Sequence, residues 1–317
     1  MSNPRQKYRE LCKAEERIPL CSRDWWLDAV AGPEGWDVVL AESGSGVVGA
    51  LPYVLKRKWL FFNVIQMPRF STGMGVWLQY PPDQKYHSRL SFEARVISEL
   101  IEQLPPFHRF FQRFQPDFTN WLPFFWKGFE QTTRYTYVLK DLSDPEALFR
   151  GFRDNIRREI RKAAKIVSVC ESEDAGLMYH MNSLTFKRQG REMPFSLQEF
   201  ARLDEALKAR NSRRIFLAKD QSGNLHSALY LMYDAHCAYY LMGGSDPGFR
   251  NSGAASLLMW EAIKFAAGVS RKFDFEGSMM APVERFFRAF GAVQTPYFSI
   301  YKNNWFFKVL DTFRTKK

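Results

Sequence analysis

The stretch that most constrains the fold of this chain is residues 238–292, where three kinds of local pattern alternate. Short apolar runs separated by turn residues and by longer runs of helical period predict the order strand, turn, helix, strand, turn, helix. The predicted segments are a strand at 238–242, a turn at 243–248, a helix from 250 to about Gly268, a strand at 272–277 and a last helix through 286–291. Such alternation is typical of an α/β fold in which helices cover a sheet.

Small residues open the first of these helices, in the spacing Arg250-x-x-Gly253-x-Ala255. Small side chains leave the first backbone N–H groups of a helix accessible, and the helix dipole there favours a pyrophosphate. Tight packing of a helix on a sheet requires the same small residues, so the spacing alone leaves both explanations open. The candidate anion-binding residues are Arg250, Asn251, Ser252, Gly253, Ala254 and Ala255.

This spacing resembles the acyl-CoA loop of the GNAT acyltransferases. With the preceding strand and the following Phe-Asp-Phe-Glu-Gly strand, the whole order resembles the FemAB-like branch of that superfamily, which includes peptidyl-bridge aminoacyltransferases. The resemblance implies an acyl donor whose pyrophosphate lies on residues 250–255. It also implies that a backbone amide at Met242–Gly243, at the splayed end of a strand, polarises the donor carbonyl.

Three charged residues after the loop are candidates for catalysis. Asp274 and Glu276 lie two apart on a predicted strand, so both carboxylates should project from one face and could accept an amine proton or hold an acceptor. The alternative is an ion pair or a cap for the next turn. Arg288 stands where the FemAB-like branch carries a basic residue before its Phe-Gly, which implies contact with the donor carbonyl or phosphate, and its alternative is a solvated surface position. Phe286 and Phe287 occupy the place of the general-acid Tyr found in many GNAT enzymes, so the proton donor stays unassigned.

Composition limits the remaining classes of partner. The 317 residues carry a net charge of +11, which indicates an anionic partner. Four scattered cysteines without CxxC spacing predict neither a metal site nor a disulfide framework. The N-terminus lacks the apolar region of a signal peptide and no apolar run is long enough to span a membrane, so we expect a cytoplasmic protein.

A repeated pattern predicts two related domains. Leu40-Ala41 matches Leu217-Ala218 at an offset of 177 (217 − 40), and Ala50-Leu51 matches Ala228-Leu229 at 178 (228 − 50). Shared order at a nearly constant offset indicates a duplicated α/β unit, in agreement with the tandem GNAT folds that the resemblance implies. We therefore expect an acceptor-side domain at 1–140 and a donor domain at 141–317, with residues 301–317 packing back across both.

A strongly basic helix is predicted over Pro145–Val167. Its apolar residues recur every three or four positions, and seven Lys and Arg residues between 150 and 165 outnumber two acidic ones. It resembles the basic helix that opens the second FemAB-like domain. Its charge fits either a solvated face or a contact with phosphate, from tRNA or other RNA, a nucleotide or a lipid head group.

The sequence thus predicts two tandem GNAT-like domains and an N-acyltransferase that moves an acyl group from acyl-CoA, such as acetyl-CoA, to an amine. The runner-up is transfer from aminoacyl-tRNA to a cell-wall precursor, in cell-envelope biosynthesis, although no long charged arm follows Val167. A non-catalytic binder of RNA or anionic lipid is the alternative from another class.

Overall fold

The computed structural model describes residues 3–44, 46–58, 61–277 and 279–307. Up to the middle of the chain the elements are α1 Pro4–Ala14, α2 Asp24–Ala31, β1 Asp37–Ser43, β2 Gly46–Lys58, β3 Phe62–Gln66, β4 Trp77–Leu78, α3 Tyr86–Glu102, β5 Arg109–Arg113, α4 Leu122–Trp126 and β6 Glu130–Leu139. They are followed by α5 Pro145–Gly151, α6 Asp154–Ala163, β7 Val167–Ser172, α7 Ala175–Arg188, α8 Leu197–Lys208, β8 Arg213–Asp220, β9 Leu225–Tyr233, β10 Cys237–Ser245, α9 Ala254–Ala267, β11 Lys272–Asp274, α10 Ala281–Arg288 and β12 Val293–Asn303.

The chain divides into two compact units. Unit 1 comprises residues 1–134 and 296–317, and unit 2 comprises residues 135–295. The division falls inside β6 and inside β12. The predicted domain boundary at residue 140 and the packing of residues 301–317 across both domains stay predictions, and residues 308–317 lie outside the part of the chain that the structure describes.

Unit 1 is a sheet in the order β1-β2-β3-β5-β12, with β4 paired to β2. The β3–β5 pair is parallel and the others are antiparallel. Helix α3 covers one face because Val96, Ile97 and Leu100, at helical spacing, are all fully buried against the sheet residues. The apolar spacing of residues 90–104 predicts a helix here, and the structure confirms it with an earlier start at Tyr86.

Unit 2 is a sheet in the order β6-β11-β10-β9-β8-β7, in which β10 and β11 run parallel and the other neighbouring strands run antiparallel. Their pairing ends at Tyr239↔Asp274, where β11 stops, whereas β10 continues to Ser245. The far part of β10 has therefore separated from its parallel neighbour. This separation is what opens a cavity on β10.

The repeated residue pairs lie in two β-hairpins, β1–β2 and β8–β9, that correspond residue by residue. Leu40 pairs with Ala50 in unit 1, and Leu217 pairs with Ala228 in unit 2. Each hairpin also has a register irregularity at the same place, between Ala41 and Glu42 in one and between Ala218 and Lys219 in the other. A matched irregularity is a specific feature of a strand pair, so it strengthens the evidence for duplication.

The prediction of one helix over Pro145–Val167 is wrong. The chain forms α5, an extended link at Phe152 and Arg153, then α6, and Val167 already belongs to strand β7. The link exists because Phe152 packs between Trp260 and Phe290, with ring centroids 5.4 and 5.1 Å away, while Arg153 N donates to Ala289 O at 2.9 Å. The apolar spacing runs through the break unchanged, so periodicity could not reveal it.

Other local predictions also need correction. The turn predicted from Gly243 begins only after Ser245, because β10 keeps its pairing with β9 to that point. The polar N-terminal segment is helix α1, with Asn3 as its N-cap. The apolar run from Trp59 to Ile65 predicts a strand, and the observed strand β3 starts at Phe62, while Trp59 and Leu60 lie outside the described residues. Strand β7 and helix α7 were not predicted at all.

Candidate functional site

A cavity of about 170 Å³ lies in unit 2 on the separated part of β10. Helices α7, α9 and α10 and strand β9 form the rest of its wall. Its lining residues are Thr185, Arg188, Ser227, Ala228, Leu229, Tyr240, Gly243, Gly244, Ser245, Ala255, Leu258, Met259 and Phe286. A pocket with an apolar body and a few polar groups, at a place where strands diverge, is the usual form of a small-ligand site.

A β-bulge at Leu241 determines which residues of β10 face the cavity. Tyr240 pairs with Leu231 and Met242 with the adjacent Tyr230, so β10 contains one extra residue at this point. A bulge bends its strand and redirects the following side chains. After the bulge, Asn182 Nδ2 donates to Gly243 O at 2.8 Å, which ties helix α7 to the strand beside the cavity.

The hydroxyl of Tyr240 occupies the space beside Gly243. A Cβ atom built on Gly243 would lie 2.2 Å from Tyr240 Oη, so this ring position requires glycine there. The hydroxyl has no hydrogen-bond partner among the described residues, and burial raises the pKa of Tyr240 to about 12. A tyrosine with this pKa is protonated at neutral pH and is available as a proton or hydrogen-bond donor in the cavity.

The predicted donor loop forms a short 3-10 turn, Pro247–Ser252, between β10 and α9. Asp246 caps the turn by accepting from Gly248 N at 2.7 Å, and Asp246 N donates to His226 O at 3.0 Å. The His226 ring stacks on Phe249 with centroids 4.0 Å apart. His226, which the sequence left unassigned, therefore anchors the loop to β9.

The three small residues at the start of α9, Gly253, Ala254 and Ala255, differ from one another in their surroundings. Gly253 is the N-cap, with a left-handed φ of 80°, and Ala254 N lies 3.3 Å from the Ser252 hydroxyl that accepts its hydrogen bond. Ala255 is exposed and lines the cavity. Of the eight predicted donor-binding residues, the structure thus brings Gly243 and Ala255 to the cavity, while Arg250, Asn251 and Ser252 lie on the adjoining turn.

The basic helix α6 lies against this loop. Lys162 Nζ donates to Asn251 O at 3.1 Å, and the Ser256 hydroxyl of α9 donates to Glu159 Oε2 at 2.8 Å. An open surface cavity of about 400 Å³ lies at the start of the helix, lined by Arg153, Asp154, Asn155 and Arg158. The arrangement puts positive charge on the same helix that supports the donor loop.

Asp274 and Glu276 do not share a strand face, because β11 ends at Asp274 and Glu276 has a φ of 55°. Asp274 Oδ1 accepts from the Thr136 hydroxyl and, at 2.8 Å, from Glu276 N. Burial raises the pKa of Asp274 to about 6. Neither residue lines the cavity. Asp274 is therefore a buried carboxyl that accepts a hydrogen bond from the backbone of the half-buried Glu276.

Arg288 lies on the last turn of α10 and is half exposed. Its Nε is 3.3 Å from Glu284 Oε1, which also accepts from the Tyr137 hydroxyl at 2.9 Å. Phe286 of the same helix lines the cavity and Phe287 is buried in the core. Sequence reasoning missed Tyr240, Thr185 and Arg188 as cavity residues. The short aromatic run 238–242 was a signal for Tyr240, but nothing local pointed to α7.

Two kinds of feature were not found in the part of the chain that the structure describes. Its His, Cys, Asp and Glu residues form no group of three or more that could hold a metal ion. None of its helices is both long and apolar enough to cross a membrane.

The comparisons with known proteins agree with this geometry. Residues 150–288 match the family model described as an acetyltransferase (GNAT) domain. The comparison with curated protein sequences gave no significant match.

Solved structures with a similar fold cover nearly the whole chain. FemX has a TM-score of 0.67 at 15% identity, covering 94% of this chain and 96% of its own. A tandem GNAT protein from the clavulanic acid biosynthesis pathway has a TM-score of 0.52 at 13% identity, covering 94% of each chain. L-PGS from Bacillus licheniformis has a TM-score of 0.53 at 10% identity, covering 96% of this chain and 93% of its own.

The matched segment begins in α5 and ends in α10, so it contains the cavity, the bulge and the donor loop. Residues 150–288 therefore match the acetyltransferase (GNAT) domain model, and the α/β fold of the chain is similar to the folds of FemX and of a tandem GNAT protein.

Proposed function

We propose that unit 2 transfers an acyl group from acyl-CoA to an amine acceptor. The observation that carries the proposal is the cavity on the separated part of β10, with the loop Arg250–Ala255 at its edge. Its volume, about 170 Å³, is below the ~300–1,000 Å³ of sites that enclose a whole drug-sized ligand. The cavity is suited to the acyl end of the donor, and a short group such as acetyl is the expected one.

The reaction needs one bond formed and one broken. The amine nitrogen bonds to the acyl carbon, the carbon–sulfur bond breaks, the amine loses a proton and the thiolate of CoA gains one. We assign protonation of the leaving sulfur to Tyr240, because its hydroxyl has no hydrogen-bond partner among the described residues, belongs to a cavity-lining side chain and stays protonated at neutral pH. Backbone N–H groups at Met242–Gly243 are the proposed donors to the carbonyl oxygen.

The charged residues have supporting roles in this proposal. Glu276, which Asp274 positions by accepting the Glu276 N–H, does not line the cavity, so we assign it the amine proton through one intervening water. Arg288, oriented by Glu284, binds the phosphates of the donor together with the turn at Arg250–Ser252 and the first residues of α9, Gly253–Ala255. Charge on the donor is thereby matched by cations and by the start of a helix.

The second candidate donor is aminoacyl-tRNA, with a cell-wall precursor as acceptor. The observation that favours it is the basic helix α6 beside the donor loop, where Lys162 reaches Asn251 O and Arg153 and Arg158 line an open surface cavity. A phosphate backbone requires several such cations, and its binding weakens steeply with salt. Non-catalytic binding of RNA is the remaining alternative.

The test is calorimetric titration of acetyl-CoA and longer acyl-CoAs into wild type and Ala255→Trp. Ala255 is exposed and lines the cavity, so tryptophan should fill the site without disturbing the core. Ala164→Trp, at an exposed position at the end of α6, is the matched control. We expect micromolar acetyl-CoA binding by wild type and the control, and a loss of at least tenfold in Ala255→Trp.

A different result would redirect the assignment. If no acyl-CoA binds wild type at moderate salt, the acyl-CoA proposal is wrong. Titration of charged and uncharged tRNA into wild type and Arg153→Gln/Arg158→Gln then decides the second candidate. Tighter binding of charged tRNA, weakened in the double variant, would support an aminoacyl donor. Equal binding of both RNAs without transfer would support a non-catalytic binder.

A further inference from the structure

Two large aromatic side chains of unit 1 are almost fully exposed. Phe61, at the tip of the β2–β3 hairpin, is 76% exposed, and Trp305, directly after β12, is 74% exposed. Leu55, near the end of β2, is also exposed. Single exposed apolar residues are common, but a cluster of them marks a binding surface.

The hairpin and the segment after β12 are joined into one surface. The ring of Phe62 stacks on Phe306 with centroids 4.7 Å apart, and it meets Phe307 edge-on at 5.4 Å. Beneath them, His108 N donates to Asn63 O and Asn304 N donates to His108 O, both at 2.8 Å. The exposed Phe61 and Trp305 are therefore each next to a residue, Phe62 or Phe306, that is held by ring contacts, and the backbone nearby is hydrogen-bonded.

Basic residues flank these aromatics. Lys56, Arg57 and Lys58 end β2, are all exposed, and have no ion-pair partner among the described residues. Because strand side chains alternate, Lys56 and Lys58 lie on one face of the hairpin and Arg57 lies on the other with Leu55. No Asp or Glu occurs in residues 55–63 or 302–307. The surface is thus apolar at its tip and positively charged around it.

We propose that unit 1 binds peripherally to an anionic lipid bilayer through this hairpin-end surface, defined as Leu55–Lys58, Phe61 and Trp305. Aromatic side chains favour the boundary between head groups and acyl chains, and adjacent cations are attracted to anionic head groups. A bilayer fits better than RNA because Leu55 is aliphatic and offers no ring for a base to stack on. The proposal does not depend on the acyl donor of unit 2.

The test is co-sedimentation of the full chain with vesicles of phosphatidylcholine alone and of phosphatidylcholine with phosphatidylglycerol. We expect binding only to the vesicles that contain phosphatidylglycerol, and weaker binding as salt rises. Phe61→Ser/Trp305→Ser should weaken binding at least tenfold. Lys56→Gln/Arg57→Gln/Lys58→Gln should weaken it roughly a hundredfold, from the typical contribution of three cations near such a surface.

Each variant has a matched control in the same chain. Tyr86→Ser removes an aromatic side chain that is also 76% exposed, and Lys13→Gln/Lys85→Gln/Lys140→Gln removes three exposed cations elsewhere. Both controls should bind like wild type, and all variants should keep the thermal unfolding midpoint of wild type.

Two outcomes would overturn the proposal. The first is absence of binding to phosphatidylglycerol vesicles, and the second is an equal loss in the controls. If wild type does not bind vesicles, and Phe61→Ser/Trp305→Ser abolishes a dimer seen by sedimentation equilibrium or binding of single-stranded RNA, the surface binds that partner instead of a bilayer.

Discussion

A Cβ atom at Gly253 would lie 2.8 Å from the carbonyl oxygen of Glu159, because the start of α9 packs directly on the backbone of α6. The φ of 80° at Gly253 adds a second reason for glycine. Helix packing therefore explains Gly253 by itself. The evidence for a donor site rests instead on its neighbour Ala255, whose side chain lies at the cavity.

Gly253→Ala should destabilise the protein. The left-handed φ and the close backbone oxygen together should lower the free energy of unfolding by roughly 2–4 kcal/mol. Gly268→Ala is the matched control, since Gly268 ends α9 with a φ of −85° and its nearest neighbouring atom would be 3.5 Å from the new Cβ. Urea denaturation of both variants measures the difference. Equal midpoints would contradict this account of Gly253.

Tyr240→Phe tests the proposed proton donor. The substitution removes only the hydroxyl, so acyl-CoA affinity should change less than threefold while turnover falls by roughly 10²–10⁴, the usual range for a lost general acid. Turnover and affinity are measured separately by a thiol-release assay and by calorimetry. Unchanged turnover would mean that the leaving sulfur is protonated by another group.

The buried Asp274 should make stability depend on pH in a defined direction. Its pKa rises from 3.8 to about 6 on folding, so the folded state holds the proton more tightly than the unfolded chain. Between pH 4 and pH 6 the unfolded state ionises first, and stability should fall by on the order of 3 kcal/mol as pH rises. Asp274→Asn keeps an oxygen for Thr136 and Glu276 N, so its stability should be flatter across this range.

Urea unfolding of wild type and Asp274→Asn at pH 4, 5, 6 and 7 checks this prediction. The variant should gain stability relative to wild type as pH rises. If the free energy of unfolding changes with pH in the same way in both proteins, the Asp274 carboxyl has the same pKa in the folded and unfolded states, and the prediction is wrong.

A buried ion pair in unit 2, between Arg213 and Asp204, gives a further stability prediction. Arg213 Nε lies 3.0 Å from Asp204 Oδ1, and the two side chains are only 2% and 8% exposed. Tyr230 donates to the same oxygen at 2.8 Å. Asp204→Ala leaves a buried charge and a buried hydroxyl without this partner and should cost roughly 3–5 kcal/mol.

Glu173→Ala is the control for that pair. Glu173 Oε2 also contacts Arg213, at 2.9 Å, but its side chain is 65% exposed, so its loss should cost about 1 kcal/mol or less. Thermal and urea unfolding of both variants compare the two costs. If the two substitutions lower the free energy of unfolding by similar amounts, burial does not explain the cost of Asp204→Ala.

Local patterns in the sequence predicted much of unit 2. The strand at 238–242, the β8–β9 hairpin and the helix after Gly253 follow from apolar spacing and turn residues, which act over a few positions. The same patterns predicted the α/β class, and the resemblance predicted the GNAT domain that the family model matches at residues 150–288. The roles of the site residues and the identity of the donor are proposals.

What only the tertiary structure decided depends on contacts between residues far apart in sequence. The break at Phe152 depends on its packing against Trp260 and Phe290. The separation of β10 from β11 depends on where their pairing stops, at Tyr239 and Asp274. Tyr240 became a candidate proton donor only when the bulge at Leu241 and the glycine at 243 placed its hydroxyl in a cavity. The sequence alone determined which residues can form strands, helices and turns, because those preferences are local. The structure decided which side chains meet, because that depends on how the elements pack.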